Sequence, residues 1–294
     1  EKFDFSIPQG NIGEAWVIAA HNNGSSKITN GELAGLTLKE AYEKQPTLFT
    51  EKVYDKFPLL IKILDASDNL SVQVHPEDDY ARENENGELG KTECWYVLDA
   101  KEGAKLVYGH TAKTKEEFND KINREQWQEL FIEEEVKAGD FFYIPAGTLH
   151  AIGEGILIYE VQQNSDTTYR VYDYDRVDKD GNKRELHIEK TKDVTKVPFE
   201  KVTTSPKTEK LEGATVTYLA DERYFSVFKV EMEGQVSLEK TRTGNLFTVL
   251  NGSGSVEIDG SSYDVKKGDS FILTTECRTY TLKGKMFLIG SYDR

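Results

Sequence analysis

The chain has 294 residues, enough for two domains or one large one. Apolar residues make up 37% and aromatics 11%, which is enough to fill real cores and argues against a disordered chain. A formal charge of −15 argues against nucleic acid as a partner, because phosphate would be repelled, yet a small anion could still be held by a local basic cluster.

No apolar run approaches the ~20 residues of a membrane helix, and no secretory signal pattern is present. No membrane partner and a cytoplasmic location are therefore expected. Cys94 and Cys277 are the only cysteines; far apart in a large chain, they read as reduced thiols. The first residue is Glu1 rather than Met, which points to a processed or truncated start.

Residues 1–35 are turn-rich, with Gly10, Gly13, Asn22-Asn23-Gly24, Asn30-Gly31 and Gly35. Between these turns Glu14–Ala20 reads as a strand. Leu38–Gln45 reads as a short helix, with Thr37 as N-cap and Glu40 at capping-box spacing. Leu59–Asp65 is a buried strand interrupted by Lys62. From Leu70 to His75 the residues alternate: Leu70, Val72 and Val74 face one way, and Ser71, Gln73 and His75 the other. We read the polar face as a barrel interior that holds a site.

Thr92–Leu98 is a further strand, with Glu93, Trp95 and Val97 on one face. Lys113–Phe131 reads as one helix laid on the barrel. It opens with Thr114 and Glu117, and Phe118, Ile122, Trp127, Leu130 and Phe131 trace its apolar face. Gly155–Gln163 puts Ile156, Ile158, Glu160 and Gln162 on one side of a strand. Tyr169–Arg176 alternates again, with Arg170, Tyr172, Tyr174 and Arg176 together. Asp178–Asn182 is a hairpin-grade turn. Residues 190–213, polar and with Pro198 and Pro206, suit a linker or crossing segment.

The C-terminal part is β-rich, with a hairpin over Gly252–Gly260. There Val265-Lys266-Lys267-Gly268-Asp269-Ser270-Phe271-Ile272-Leu273 echoes Val136-Lys137-Ala138-Gly139-Asp140-Phe141-Phe142-Tyr143-Ile144, an internal repeat. No histidine follows the second Gly-Asp strand, so the second barrel is expected to be empty of metal.

After the first Gly-Asp strand, Pro145-x-Gly147 reverses the chain and His150 opens the next strand. With His75 and Glu93 on other strands, two imidazoles and one carboxylate would make a metal site with a position left open for water or substrate. The bland reading of Glu93 is a solvent-exposed ion pair with Lys91. His21, His110 and His187 lack such a context and read as surface or supporting residues.

Ser71-Val72-Gln73-Val74-His75-Pro76 and Gly90-Lys91-Thr92-Glu93-Cys94-Trp95-Tyr96 resemble the class I mannose-6-phosphate isomerases (phosphomannose isomerases) of the short bacterial type. The Gly139-x5-Pro145-x-Gly147-x2-His150 pattern is similar to the second motif of the cupin superfamily to which they belong. The resemblance continues through Gly31-x-Leu33-Ala34-Gly35-x-Thr37-Leu38, Val107-Tyr108-Gly109-His110, the run 162–176 and Arg184-Glu185-Leu186-His187. It covers most of residues 10–190; the C-terminal third resembles the family only as a metal-free cupin. One departure is the absence of the family's Ile-Trp-Gly-Gly segment before Gly10, which agrees with a missing first strand.

The resemblance implies a mainly β fold of two cupin-like (jelly-roll) barrels with a few short helices packed on the first. The expected division is a catalytic domain over 1–190 with a helical insertion at about 113–131, a linker over 191–214 and a metal-free cupin-like domain over 215–294. It implies one zinc per chain on the residues matching His75, Glu93 and His150, with Gln73 matching a fourth ligand of longer members. It implies a catalytic arginine at Arg170 and the interconversion of mannose 6-phosphate and fructose 6-phosphate through an enediol.

That chemistry also needs a proton-transfer group, for which Lys91 or Glu160 could serve. Glu160 could instead be a partner for Arg170, and Arg170 could form a structural salt bridge with Asp173 or Asp175. Lys62 and Ser71 are the candidates for holding the sugar phosphate. Two other readings remain open at this point. Two histidines and a carboxylate also bind the iron of non-haem dioxygenases, and a non-catalytic sugar-binding cupin would keep the fold without the reaction.

Overall fold

A computed structural model describes residue 3 and residues 13–240 and 243–294. Residues 1–2 and 4–12, where the Ile-Trp-Gly-Gly segment would fall, lie outside the described residues. The chain folds as two compact units, Glu1–Lys62 with Thr204–Arg294, and Ile63–Thr203. The second crossing falls within the polar stretch 191–214; the first falls inside a strand.

The first unit begins with strands β1 (Glu14–Ile18), β2 (Ala20–His21) and β3 (Gly24–Ser25). Helix α1 (Leu38–Lys44) carries the expected capping box. Glu40 N–H donates to Thr37 Oγ1 at 3.2 Å, and Thr37 N–H donates to Glu40 Oε2 at 2.8 Å. Two otherwise orphaned helix donors are thereby satisfied, while Leu38, Ala41 and Tyr42 are buried. Strand β4 (Leu59–Asp65) carries the chain across the unit boundary.

The second unit continues with β5 (Val72–Val74), α2 (Asp78–Asn84), β6 (Glu93–Ala100), β7 (Lys105–His110), α3 (Lys115–Asn123), α4 (Trp127–Leu130), β8 (Phe131–Glu135), β9 (Phe141–Ile144), β10 (His150–Ala151), β11 (Ile156–Gln163), β12 (Tyr169–Tyr172) and α5 (Ile188–Val194). One sheet runs β4-β11-β6-β9 and the other β12-β5-β10-β7-β8. Trp95, Val97, Leu106, Tyr108, Ile144 and Ile158 from both sheets share one buried core. The second sheet turns its other face, with Val72, Val107, Ala151 and Val171, against Phe118, Ile122 and Leu130 of the helices. Each such side chain removed from water stabilises by roughly 1.5–3 kcal/mol. Because Val72 faces that helical layer, alternation turns Gln73 inward.

Three details depart from the sequence reading. The single helix expected over 113–131 is two, because Glu125 adopts a left-handed φ of 53° and ends the first; Phe131 already begins a strand. Strand β12 stops at Tyr172, because Tyr174 and Asp175 both take φ near 55°. Leu70 is exposed rather than part of the apolar face.

The first unit resumes with β13 (Lys207–Leu211), β14 (Ala214–Asp221), β15 (Phe225–Glu239), β16 (Asn245–Ile258), β17 (Ser261–Lys266), β18 (Ser270–Leu273) and β19 (Thr279–Asp293). They form one antiparallel seven-stranded sheet in the order β13-β14-β15-β19-β16-β17, with β18 beside β16. The predicted hairpin turns at Asp259-Gly260, where Ile258 pairs with Ser261. Val230, Phe247, Val249, Leu282 and Leu288 anchor its core. The architecture is mainly β, as read from the sequence. Among the described residues, no helix is long and apolar enough to cross a membrane.

Candidate functional site

Strand register places the site. In antiparallel strands, directly opposed residues share a face. Gln73 on β5 is opposed by His150 on one side and by Arg170 on the other. The three therefore form one row across β10, β5 and β12, on the inward face. In the other sheet Glu93 opens β6 opposite Gln162, and Trp95 opposes Glu160.

The loops around the row are fastened to each other. Gly147 N–H donates to His75 O at 2.8 Å, joining the Pro145–His150 turn to the end of β5. Gly147 has a φ of 87°, and a Cβ there would lie 2.8 Å from Lys196 Cγ and 3.0 Å from Val194 O, so glycine is required. Asp78 Oδ1 accepts from Gly90 N–H and Gln163 Nε2, each at 2.9 Å. Thr92 N–H donates to Gln163 Oε1 at 2.9 Å, and Lys91 N–H to Pro76 O at 3.1 Å. Glu93 thus enters its strand from a clamped backbone.

His75, Glu93 and His150 converge, all three buried, with candidate ligand atoms within 4.8 Å of one another. His75 Nε2 lies 3.4 Å from Glu93 Oε2, and His150 Nε2 lies 3.3 Å from Glu93 Oε1. The opposite ring nitrogens meet carbonyls: His75 Nδ1 is 2.8 Å from Thr167 O, and His150 Nδ1 is 2.9 Å from Thr148 O. A carbonyl can only accept, so each Nδ1 carries the proton and each Nε2 offers a lone pair to the centre. Trp95 packs edge-on against His150, with ring centroids 5.3 Å apart.

The electrostatics agree. Burial pushes the His75 imidazole down to about 3, reinforced by the charge of Lys91. Burial likewise lowers His150, against the pull of Glu93. Burial opposes ionisation of Glu93, but the charge of Lys91 overcomes it and holds the carboxyl well below its usual range. The result is a buried anion beside two neutral imidazoles. Lys91 Nζ stands 2.9 Å from Glu93 Oε2 and 3.1 Å from His75 Nε2. Neither Glu93 oxygen receives a well-aligned hydrogen bond, so the Lys91 contact is an ion pair without that alignment. The Lys91–Glu93 pair expected as the bland alternative is real, but it is buried and belongs to the centre rather than to solvent. Two imidazole nitrogens and a carboxylate with one oxygen by each of them are a donor set that fits a divalent transition metal.

The other predicted site residues are distributed around this centre. Gln73 Nε2 lies 3.4 Å from His150 Nε2, and rotation of the amide would present Oε1 to the same space. Glu160 is buried and accepts from Trp95 Nε1 at 2.8 Å. Arg170 is half-buried. Asp173 pairs with Arg176 and Arg184 instead, and Asp175 with Lys183, so neither expected structural salt bridge to Arg170 forms. Its Nε is buried with no hydrogen-bond partner, and burial with the nearby charge of Arg184 lowers its pKa. Ser71 is buried just before β5. Lys62 is the last residue of the other compact unit; there its buried ammonium is 3.7 Å from Glu14 and 5.0 Å over the Trp16 ring.

Sequence reasoning did not find the carbonyls of Thr148 and Thr167, which carry no residue signal. The alternation did place Gln162 on the face of Glu160, without giving it a role; register sets it opposite Glu93. His21 and His110, read as surface or supporting residues, are buried; His110 Nε2 lies 2.9 Å from Lys196 O.

Residues 1–98 match the family model for the phosphomannose isomerase type I catalytic domain, and residues 214–293 match that for the mannose-6-phosphate isomerase cupin domain. The chain is 48% identical over 290 residues to the mannose-6-phosphate isomerase ManA of Bacillus subtilis, covering 99% of this chain and 92% of the relative. The crystal structure of a mannose 6-phosphate isomerase from Bacillus subtilis superposes with a TM-score of 0.95 at 43% identity, covering 99% of this chain and 93% of that one. A zinc-bound mannose 6-phosphate isomerase structure shares the fold, with a TM-score of 0.76 at 17% identity over 96% of this chain and 91% of that one. The chain belongs to the type I phosphomannose isomerase family.

Proposed function

We propose that this chain is a zinc-dependent isomerase interconverting mannose 6-phosphate and fructose 6-phosphate through an enediol, with one zinc held by His75, Glu93 and His150 and with Gln73 as a fourth ligand. The observation that carries the reading is the buried Glu93 carboxylate, its oxygens short of aligned donors while two imidazole lone pairs are aimed at it. Zinc bound there would orient the sugar oxygens and stabilise negative charge as it develops.

The remaining work falls to the chain's own side chains. Arg170, in the row with Gln73 and His150, presents a permanent charge whose fork can hold an oxyanion. Lys91 and Glu160 are the groups for moving the proton between C1 and C2; Glu160 is oriented by Trp95, and Lys91 is held between His75 and Glu93. Ser71 is assigned to the phosphate. The buried centre keeps bulk water from an enediol.

Conversion of mannose 6-phosphate to fructose 6-phosphate, assayed with and without chelator, tests the reading. Activity should vanish on exhaustive chelation and return with zinc; full activity in the chelated protein would contradict it. Arg170→Lys should lower turnover strongly, by about a hundredfold, because a point charge cannot reproduce the fork.

A further inference from the structure

We propose that His187 is a positioning residue for Arg170, latching both backbone groups of Arg170 at the open edge of β12. The proposal rests on the reading that Arg170 acts on the substrate. Strand β12 lies at the edge of its sheet and, among the described residues, pairs only with β5. Edge residues leave N–H and C=O unpaired on their outer side. At Arg170 one residue takes both: Arg170 N–H donates to His187 Nδ1 at 3.2 Å, and His187 N–H donates to Arg170 O at 2.7 Å.

The latch has a geometric consequence. With its backbone groups turned outward to His187, Arg170 meets Gln73 as a non-hydrogen-bonded pair, the type in which facing side chains stand closest. The row carrying the catalytic arginine beside Gln73 and His150 therefore ends in His187. The latch is itself held. Thr191 N–H donates to His187 O at 2.8 Å as α5 begins, and Glu85 Oε1 accepts from both Lys190 Nζ and Tyr169 Oη at 2.6 Å.

Accepting at Nδ1 requires a neutral ring with its proton on Nε2. The groups around it are Glu185 on its own segment, Arg170 and Tyr169 on β12, Lys190 on α5 and Glu85 after α2. Burial lowers the His187 pKa; Glu185 and Glu85 oppose that, while Arg170 and Lys190 reinforce it.

The test compares His187→Ala and His187→Asn in the zinc-loaded enzyme, because the Asn side-chain oxygen can still accept from Arg170 N–H. His187→Ala should keep its zinc and lose about tenfold or more in kcat, the scale of a misplaced catalytic group. His187→Asn should recover most of that loss. An Ala variant within about twofold of wild type in kcat and KM, or an Asn variant no better than Ala, would overturn the proposal. In the unaltered protein, nitrogen-15 NMR should show His187 Nδ1 unprotonated and Nε2 protonated; the reverse tautomer would also overturn it. Failure of the functional reading looks different: Arg170→Lys would then be fully active while the NMR signature of the latch persisted.

Discussion

In the second compact unit Lys137 N–H donates to Asp140 Oδ2 at 2.9 Å, and in the first Lys266 N–H donates to Asp269 Oδ2 at 2.9 Å. Gly139 and Gly268, with φ of 95° and 93°, donate to Val97 O and Val249 O, both at 2.8 Å. Asp140 O and Asp269 O accept from those same valines, both at 2.9 Å. On the neighbouring strand Glu93 opposes Ile144, and Asn245 opposes Leu273. Counting forward from each Gly-Asp turn, Thr279 falls where His150 does. The two halves thus build the same corner with the same hydrogen bonds but place a carboxylate and an imidazole in one, and an amide and a hydroxyl in the other. Backbone scaffold and metal chemistry are separable here. The turn sets the strand register, and a few side chains decide whether a cation has ligands.

The largest way to break this comparison is at its ligand positions. Glu93→Gln should lower turnover by roughly a thousandfold or more and release zinc on dialysis, whereas Asn245→Ala should leave kcat/KM within about twofold. Equal losses would mean that the second corner takes part in catalysis.

A smaller effect separates the units by pH. Burial would raise Asp173, but its bonds to Arg184 and Arg176 hold it below its ordinary value. Burial raises Asp293 despite hydrogen bonds from Thr243 and Tyr54. A depressed folded pKa gives stability that is present above the unfolded value, near 4, and lost as pH falls through the folded one. A raised folded pKa does the opposite: its contribution is present below the unfolded value and lost as pH rises through the folded one. Asp173→Asn should therefore cost about 2 kcal/mol near neutral pH, with the difference fading in acid. Asp293→Asn should show its most favourable effect relative to wild type near neutral pH. Denaturant titrations at several pH values would reveal the opposite slopes; parallel slopes would refute them.

The smallest effect sharpens the scaffold half of the comparison. Asp140→Ala and Asp269→Ala should each cost about 1 kcal/mol in denaturant melts, since each loses one clamp on the turn. Only Asp140→Ala should also lower turnover, through the register of the strand leading to His150.

Much of this was legible in the sequence because periodicity reports faces. Alternation put Gln73 and His75 on one side of a strand and Glu93, Trp95 and Val97 on one side of another, and the repeated Gly-Asp segment marked both corners. Thr37 and Glu40 announced α1 because a capping box is a local signal. The rest depended on what a local signal does not carry. Glu125 breaks a helix that its apolar spacing would continue, through a left-handed turn available to many residue types. Tyr174 and Asp175 end β12 within an unbroken alternation. The carbonyls of Thr148 and Thr167 orient both imidazoles through the backbone alone, which any residue would supply. Arg170 entered through family likeness, and only strand register aligns it with Gln73 and His150.

Lys91 brings a positive charge into the buried interior beside Glu93. An ammonium 2.9 Å from Glu93 and 3.1 Å from His75 already neutralises the buried acid. Many small zinc modules cannot hold their shape before loading, because the ion itself neutralises their ligands. Here the polypeptide supplies its own counter-ion: the Lys91 ammonium offsets the charge that Glu93 carries into the interior, so the buried acid has a partner of opposite sign from within the same chain.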